Sequence, residues 1–197
     1  MDTDFQLHDN EGRRKYLTPE ERKTFEEAAK NLDRDSMMFC HTLLHTGGRI
    51  SEVLELTPVR FDLVRKEIII RSLKKRSEKA KYRAVPVPDR LLRDLKLVYD
   101  LERLQKDKEL KNQRIWSWSR ENGWKKVKKA MKLAGIDLEA PHACPKGLRH
   151  GFGVHLAMAG VPESQIQQLL GHSSREVTAI YTNVLGLEKR ELISKIW

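Results

Sequence analysis

The sequence predicts a mainly α-helical domain with one small antiparallel β-sheet, the α+β class. Three observations carry this. Long segments with apolar residues at helical spacing, several of them opened by capping signals, flank a single interval between residues 60 and 88. That interval has short, β-rich runs broken by charged turns and ends on Pro86 and Pro88. A length of 197 residues with 39% hydrophobic side chains supplies one core of moderate size.

Taken in order, residues 1–16 are polar, carry Gly12 and mixed charge, and lack periodicity, so they read as a mobile tail before a domain over 17–197. Thr18-Pro19-Glu20-Glu21 is a capping box with proline at the first helical position, and it opens a helix to about Lys30. Asp33 to Thr46 is the second helix, with Met37, Met38, Cys40, Leu43 and Leu44 apolar, and Gly47-Gly48 closes it. Arg49 to Leu56 is the third. Phe61 to Leu63, Glu67 to Arg71 and Tyr82 to Val87 are the strands. Helices return over about Asp89 to Gln105, Arg120 to Ala134, Pro145 to Ala159, Pro162 to Leu170 and Leu187 to Ile196, with a short helical turn near Tyr181.

Lys and Arg number 38 against 28 Asp and Glu, a net charge of +10. A basic face of that size suits a polyanion, either nucleic acid phosphates or an anionic membrane surface. No apolar run approaches the ~18 residues of a membrane-spanning helix. The start, Met1-Asp2-Thr3-Asp4-Phe5, lacks the basic and apolar regions of a signal peptide, so a cytoplasmic location is expected. Cys40 and Cys144 have no CxxC spacing and suit a reducing compartment. There is no P-loop, so ATP is not expected.

Three groups of residues could carry chemistry. In Thr46-Gly47-Gly48-Arg49-Ile50-Ser51-Glu52, two glycines turn the chain and place Arg49 at a helix start, where free N–H groups favour an anion; Glu52, three residues on, can hold its guanidinium. An ordinary surface Arg-Glu pair has the same spacing. In Pro145-Lys146-Gly147-Leu148-Arg149-His150, Lys146, Arg149 and His150 share one helix face, three donors that either hold a buried phosphate or form a solvated basic face. Third are Gly171-His172 and Tyr181, each of which singly reads as core or surface filler.

Their joint order along the chain resembles the tyrosine recombinases, or phage-type integrases, from about Tyr16 to Trp197. The Thr-Gly-Gly-Arg-Ile-Ser-Glu stretch is similar to the family's first box, Lys146 to His150 to its second, and Leu170-Gly171-His172-Ser173 with Tyr181 to its end. The resemblance implies the integrase catalytic-domain fold and a site-specific recombinase that cuts and rejoins duplex DNA without metal, ATP or another cofactor. Tyr181 would be the nucleophile of a 3′-phosphotyrosyl intermediate, Arg49 and Arg149 would clamp the phosphate, and His172 would donate to it.

A lysine in the β-hairpin serves as general acid in the family. Ser72-Leu73-Lys74-Lys75-Arg76 is the matching segment here; Lys74 is the chosen residue, and neighbouring Lys75 would point to the opposite face. Lys75, Arg76, Lys79, Lys81 and Arg83 form a basic run facing only Glu78, which either contacts DNA or is a solvated turn. The second box departs from the family in carrying Lys146 where His is usual. Lys146 is then a phosphate ligand able to accept the Tyr181 proton, with Glu52 and His150 in support.

By the same resemblance the enzyme is a monomer in solution and a homo-tetramer on two DNA sites, with Leu187 to Trp197 docking on a neighbouring protomer or packing in cis. With the first box starting at Thr46, the family's N-terminal core-binding domain is expected to be absent, as in a short recombinase or an isolated catalytic domain. The alternatives are a type IB topoisomerase and a catalytically silent DNA-binding regulator. His41 and His45 at i, i+4 lack a third ligand for zinc. Trp116, Trp118 and Trp124, among basic residues, read as core or as DNA contacts.

Overall fold

The computed structural model describes residues 6–73, 81–172, 174 and 177–181. Helices α1 (Pro19–Ala29), α2 (Arg34–Thr46) and α3 (Ile50–Leu54) precede strands β1 (Phe61–Asp62), β2 (Glu67–Arg71) and β3 (Tyr82–Pro86). Helices α4 (Asp89–Tyr99), α5 (Leu101–Lys106), α6 (Arg120–Leu133), α7 (Pro145–Met158) and α8 (Glu163–Leu170) follow, and residues 177–181 are helical. Short 3-10 turns lie at Pro58–Arg60 and Leu110–Asn112.

The sheet is antiparallel in the order β1-β2-β3, with Phe61 opposite Ile68 and Ile68 opposite Val85. Phe61, Ile68, Ile70 and Val85 are buried, so one sheet face meets the helices, as period-two patterning requires. Helix α2 is the centre of the helical layer. It buries Met38, Phe39, Cys40, Leu43 and Leu44 and packs against α1, α4, α6 and α7. Trp116 is in this core, edge-on to Phe39 and donating from Nε1 to the Tyr99 hydroxyl at 2.9 Å, so its apolar area is used internally.

The Thr18–Glu21 capping box forms as the sequence predicts, with Glu21 N donating to Thr18 Oγ1 at 3.2 Å and Thr18 N to Glu21 Oε2 at 3.0 Å. Glu21 also receives both terminal nitrogens of Arg14, and this ties down the segment expected to be a mobile tail. Residues 6–16 turn on Asp9, which accepts from the amides of Glu11 and Arg13; His8 bridges Arg14, and Leu7 and Tyr16 are buried. Two apolar anchors on a tight turn leave no period to detect.

The single helix predicted over Asp89 to Gln105 is two. Asp100 adopts the left-handed conformation at φ 49°, caps α4 by donating its amide to Lys96, and accepts Arg103 Nε at 2.8 Å. Aspartate tolerates that conformation better than most residues, so the apolar period continues through the break. The predicted helix over Leu187 to Ile196 lies outside the described residues.

Candidate active site

The loop after α2 sets the first arginine. Gly47 caps α2 at φ 57°, and a Cβ there would stand 2.4 Å from the Phe152 ring, so glycine is required by both backbone and packing. Arg49 then occupies the N-cap of α3. Its Nη1 donates to Glu52 Oε1 at 2.9 Å and its amide to Glu52 Oε2 at 3.0 Å, so the spacing read in the sequence makes both bonds. Arg49 keeps a half-buried face toward the cavity, whereas the Glu52 side chain is 1% exposed. Burial alone would raise the Glu52 carboxyl; the Arg83 hydrogen bond and charge, with the amide and charge of Arg49, hold it below the usual range.

Arg83 corrects the sequence reading. The sequence reads it as a DNA contact or part of a solvated turn, but its side chain is only 8% exposed, with Nη2 on Glu52 Oε2 at 2.6 Å and Nε on the Leu169 carbonyl at 2.8 Å. Strand alternation turns it inward, to the side of Glu52, which charge counting along a run cannot register. Lys81, two residues earlier, is exposed. Lys74, Lys75, Arg76 and Lys79 lie outside the described residues.

Proline at the first position of α7 starts the helix that places Lys146, Arg149 and His150 on one face. Gly147 is indispensable there, since a Cβ would fall 1.9 Å from the His142 carbonyl oxygen. Arg149 is buried and donates Nη1 to the Gly47 carbonyl at 2.7 Å and Nη2 to the Leu170 carbonyl at 2.6 Å. Each of those nitrogens has a second N–H for an anion. Burial, then the charge of Arg49, pushes Arg149 down to about 9, so it is still a cation at neutral pH in a place that favours a phosphate.

Tyr181 is 1% exposed. Its ring stacks on His172 at 6.0 Å and 12°, and His172 Nδ1 lies 3.1 Å from Thr178 Oγ1. Gly153 makes room: a Cβ there would stand 2.7 Å from the tyrosine ring. The Tyr181 hydroxyl lies 3.0 Å from His150 Nδ1. Burial pushes the phenol up to about 12, against the opposing pull of Arg149 and Arg49.

Arg49, Lys146, Arg149, His150, His172 and Tyr181 all line one cavity of about 540 Å³. Cys144, Leu73 and Arg120 line it too, as does Trp124, which is 42% exposed and the outward member of the tryptophan cluster. His41 and His45 instead both turn to Glu26, at its carbonyl and its carboxylate. Among the described residues no group of three metal-ligating side chains converges.

A three-stranded antiparallel sheet beside a helical layer thus carries two arginines, a lysine, two histidines and a tyrosine on one cavity. The chain belongs to the phage integrase family, whose model matches residues 15–187. It is 36% identical over 176 residues to tyrosine recombinase XerA of Thermococcus onnurineus (strain NA1), covering 86% of this chain and 58% of that protein. With tyrosine recombinase XerA of Thermococcus kodakarensis the identity is 31% over 194 residues, 92% of this chain and 64% of that one. The chain thus spans less than two thirds of the length of these relatives. The crystal structure of XerA recombinase matches with a TM-score of 0.73 at 28% identity, over 91% of this chain and 64% of that chain. The catalytic domain of bacteriophage HP1 integrase matches in fold with a TM-score of 0.62 at 24% identity, covering 85% and 86%. Among the described residues no helix is long and apolar enough to cross a membrane.

Proposed function

We propose that this chain is the catalytic part of a site-specific DNA recombinase that cuts and rejoins duplex DNA through a covalent 3′-phosphotyrosyl intermediate. The observation that carries the reading is the convergence of Arg49, Lys146, Arg149, His172 and Tyr181, distant in sequence, on one cavity. Tyr181 Oη attacks the phosphorus; the P–O5′ bond breaks, and the 5′-oxygen leaves with a proton from Lys74. Arg49 and Arg149 bear on the non-bridging oxygens where negative charge builds up, and His172 donates beside them. Lys146 binds the same phosphate. The bond energy stays in the phosphotyrosyl ester, so religation needs no cofactor.

Lys75, Arg76, Lys79 and Lys81 follow the DNA backbone. Duplex DNA is the partner, which suits the solved XerH recombinase bound to its difH substrate in a post-cleavage complex. Two sites are held by four protomers that are monomers when free.

A nicked suicide duplex, carrying a site selected from random DNA for binding by this chain, tests the reading. Covalent capture should form and vanish in Tyr181→Phe, and two such sites should exchange strands. Relaxation of supercoiled plasmid without exchange would make the enzyme a topoisomerase, and absence of capture would leave a DNA-binding regulator.

A further inference from the structure

The nucleophile needs somewhere to send its proton. At about 12, the Tyr181 phenol is ionised in about one molecule in 10⁵ at pH 7, so unassisted attack would be slow. A base must lie within hydrogen-bond reach of the hydroxyl. Lys146 is the acceptor that the sequence offered. His150 is one turn further along α7, on the same face, buried, with Nδ1 3.0 Å from the hydroxyl.

We propose that His150 is the general base: neutral, protonated on Nε2, it accepts the Tyr181 proton on Nδ1 as the Tyr181 O–P bond forms and the P–O5′ bond breaks. The proton returns to the phenol when the 5′-hydroxyl reattacks, so the cycle balances without a co-reactant. The arrangement is held from three sides. His150 is carried by the same helix as Arg149, whose guanidinium is fixed to the Gly47 and Leu170 carbonyls. The tyrosine ring is confined between His172 and the space left by Gly153. The hydroxyl therefore stays close to Nδ1, while Arg49 and Arg149 favour the phenolate that results. Imidazole is the side chain whose ordinary basicity suits a proton acceptor near neutrality.

The proposal rests on Tyr181 being the nucleophile, and the tests separate the two. His150→Asn puts an amide oxygen near the place of Nδ1, keeping the hydrogen bond but taking no proton. On the nicked duplex its rate of covalent capture should fall about 10²-fold or more. 3-Fluorotyrosine at position 181, a more acidic phenol whose ring can flip its fluorine away from Gly153, should shrink that defect at least about threefold. A loss that fluorination leaves unchanged, or capture within about threefold of the parent, overturns the proposal. Capture lost in Tyr181→Phe but untouched by His150→Asn overturns it alone; capture that survives Tyr181→Phe, or never forms with the parent, overturns the nucleophile as well. Nitrogen NMR of the unmutated full chain reads the tautomer independently of folding in any variant: a bare Nδ1 on His150 supports the proposal and a protonated Nδ1 sinks it.

Discussion

Arg83 Nη2 lies 2.6 Å from Glu52 Oε2, joining the last strand of the sheet to the helix headed by Arg49, and both side chains are almost wholly buried. Glu52 is therefore shared by two guanidiniums, one pointing into the cavity and one bound internally. Through Nε on the Leu169 carbonyl, Arg83 also reaches α8, two residues before the Gly171-His172 turn. One carboxylate thus holds the sheet, the first arginine and the end of α8 in register.

Removing Arg83 should cost stability without changing how the protein meets DNA. Arg83→Met leaves a buried carboxylate with one partner, and breaking such a pair costs about 3 to 5 kcal/mol. Urea unfolding should show that loss, at or below its lower end because Arg49 remains bound to Glu52. The salt slope of DNA binding should stay at the parent value; a drop of about one would mean that Arg83 touches phosphate after all.

The same carboxylate makes the fold acid-sensitive. The Glu52 pKa is lowered in the folded state from its ordinary 4.5, so its contribution is complete above that pH and is lost as pH falls through the lowered value. Glu52→Gln should be less stable than the parent at neutral pH, and the difference should narrow below roughly pH 4. Urea midpoints for the two proteins that run parallel down to acid pH would contradict this.

Gly153→Ala tests the placement of the tyrosine. A Cβ 2.7 Å from the Tyr181 ring must displace the ring from its present place beside His150 and against His172. Overpacking costs about 1 to 3 kcal/mol, part of it recovered by the better helix propensity of alanine, about 1 kcal/mol. Covalent capture should fall much further, about 10²-fold, because a displacement of about 1 Å at a reacting atom has that effect. Capture that tracks the small stability change would separate the tyrosine ring from the chemistry.

Binding of the 197-residue chain to duplex DNA should be weak and steeply salt-dependent. The +10 charge supplies contacts to phosphate, each releasing about one counterion. Lys81→Ala should lower the slope of log K against log salt by about one. Tight binding with a shallow slope would point to contacts of another kind.

Much of the site was legible because its residues sit at capping and helix-start positions with local signatures. Gly47-Gly48-Arg49 with Glu52, and Pro145 with Lys146, Arg149 and His150, need only helical periodicity to be placed. Arg83 was misread because its partners lie 31 and 86 residues away in sequence, so its charge looked solvated. The packing of residues 6–16 was missed because Arg14, Leu7 and Tyr16 find their partners across a turn. Asp100 broke a helix through a backbone choice that leaves the apolar pattern intact.

The sequence by itself determined most of the described helices and strands, the order of the candidate site residues and the basic charge, because these depend on spacing within one helix or strand and on composition. Tertiary structure alone decided which of those side chains face one another. It buried Arg83, fixed both ends of the Arg149 guanidinium on carbonyls from two distant turns, and set His150 Nδ1 3.0 Å from the Tyr181 hydroxyl. The reason is physical: a pKa, a proton path and a phosphate pocket arise from desolvation and from distances between groups far apart in the chain, and only packing sets them.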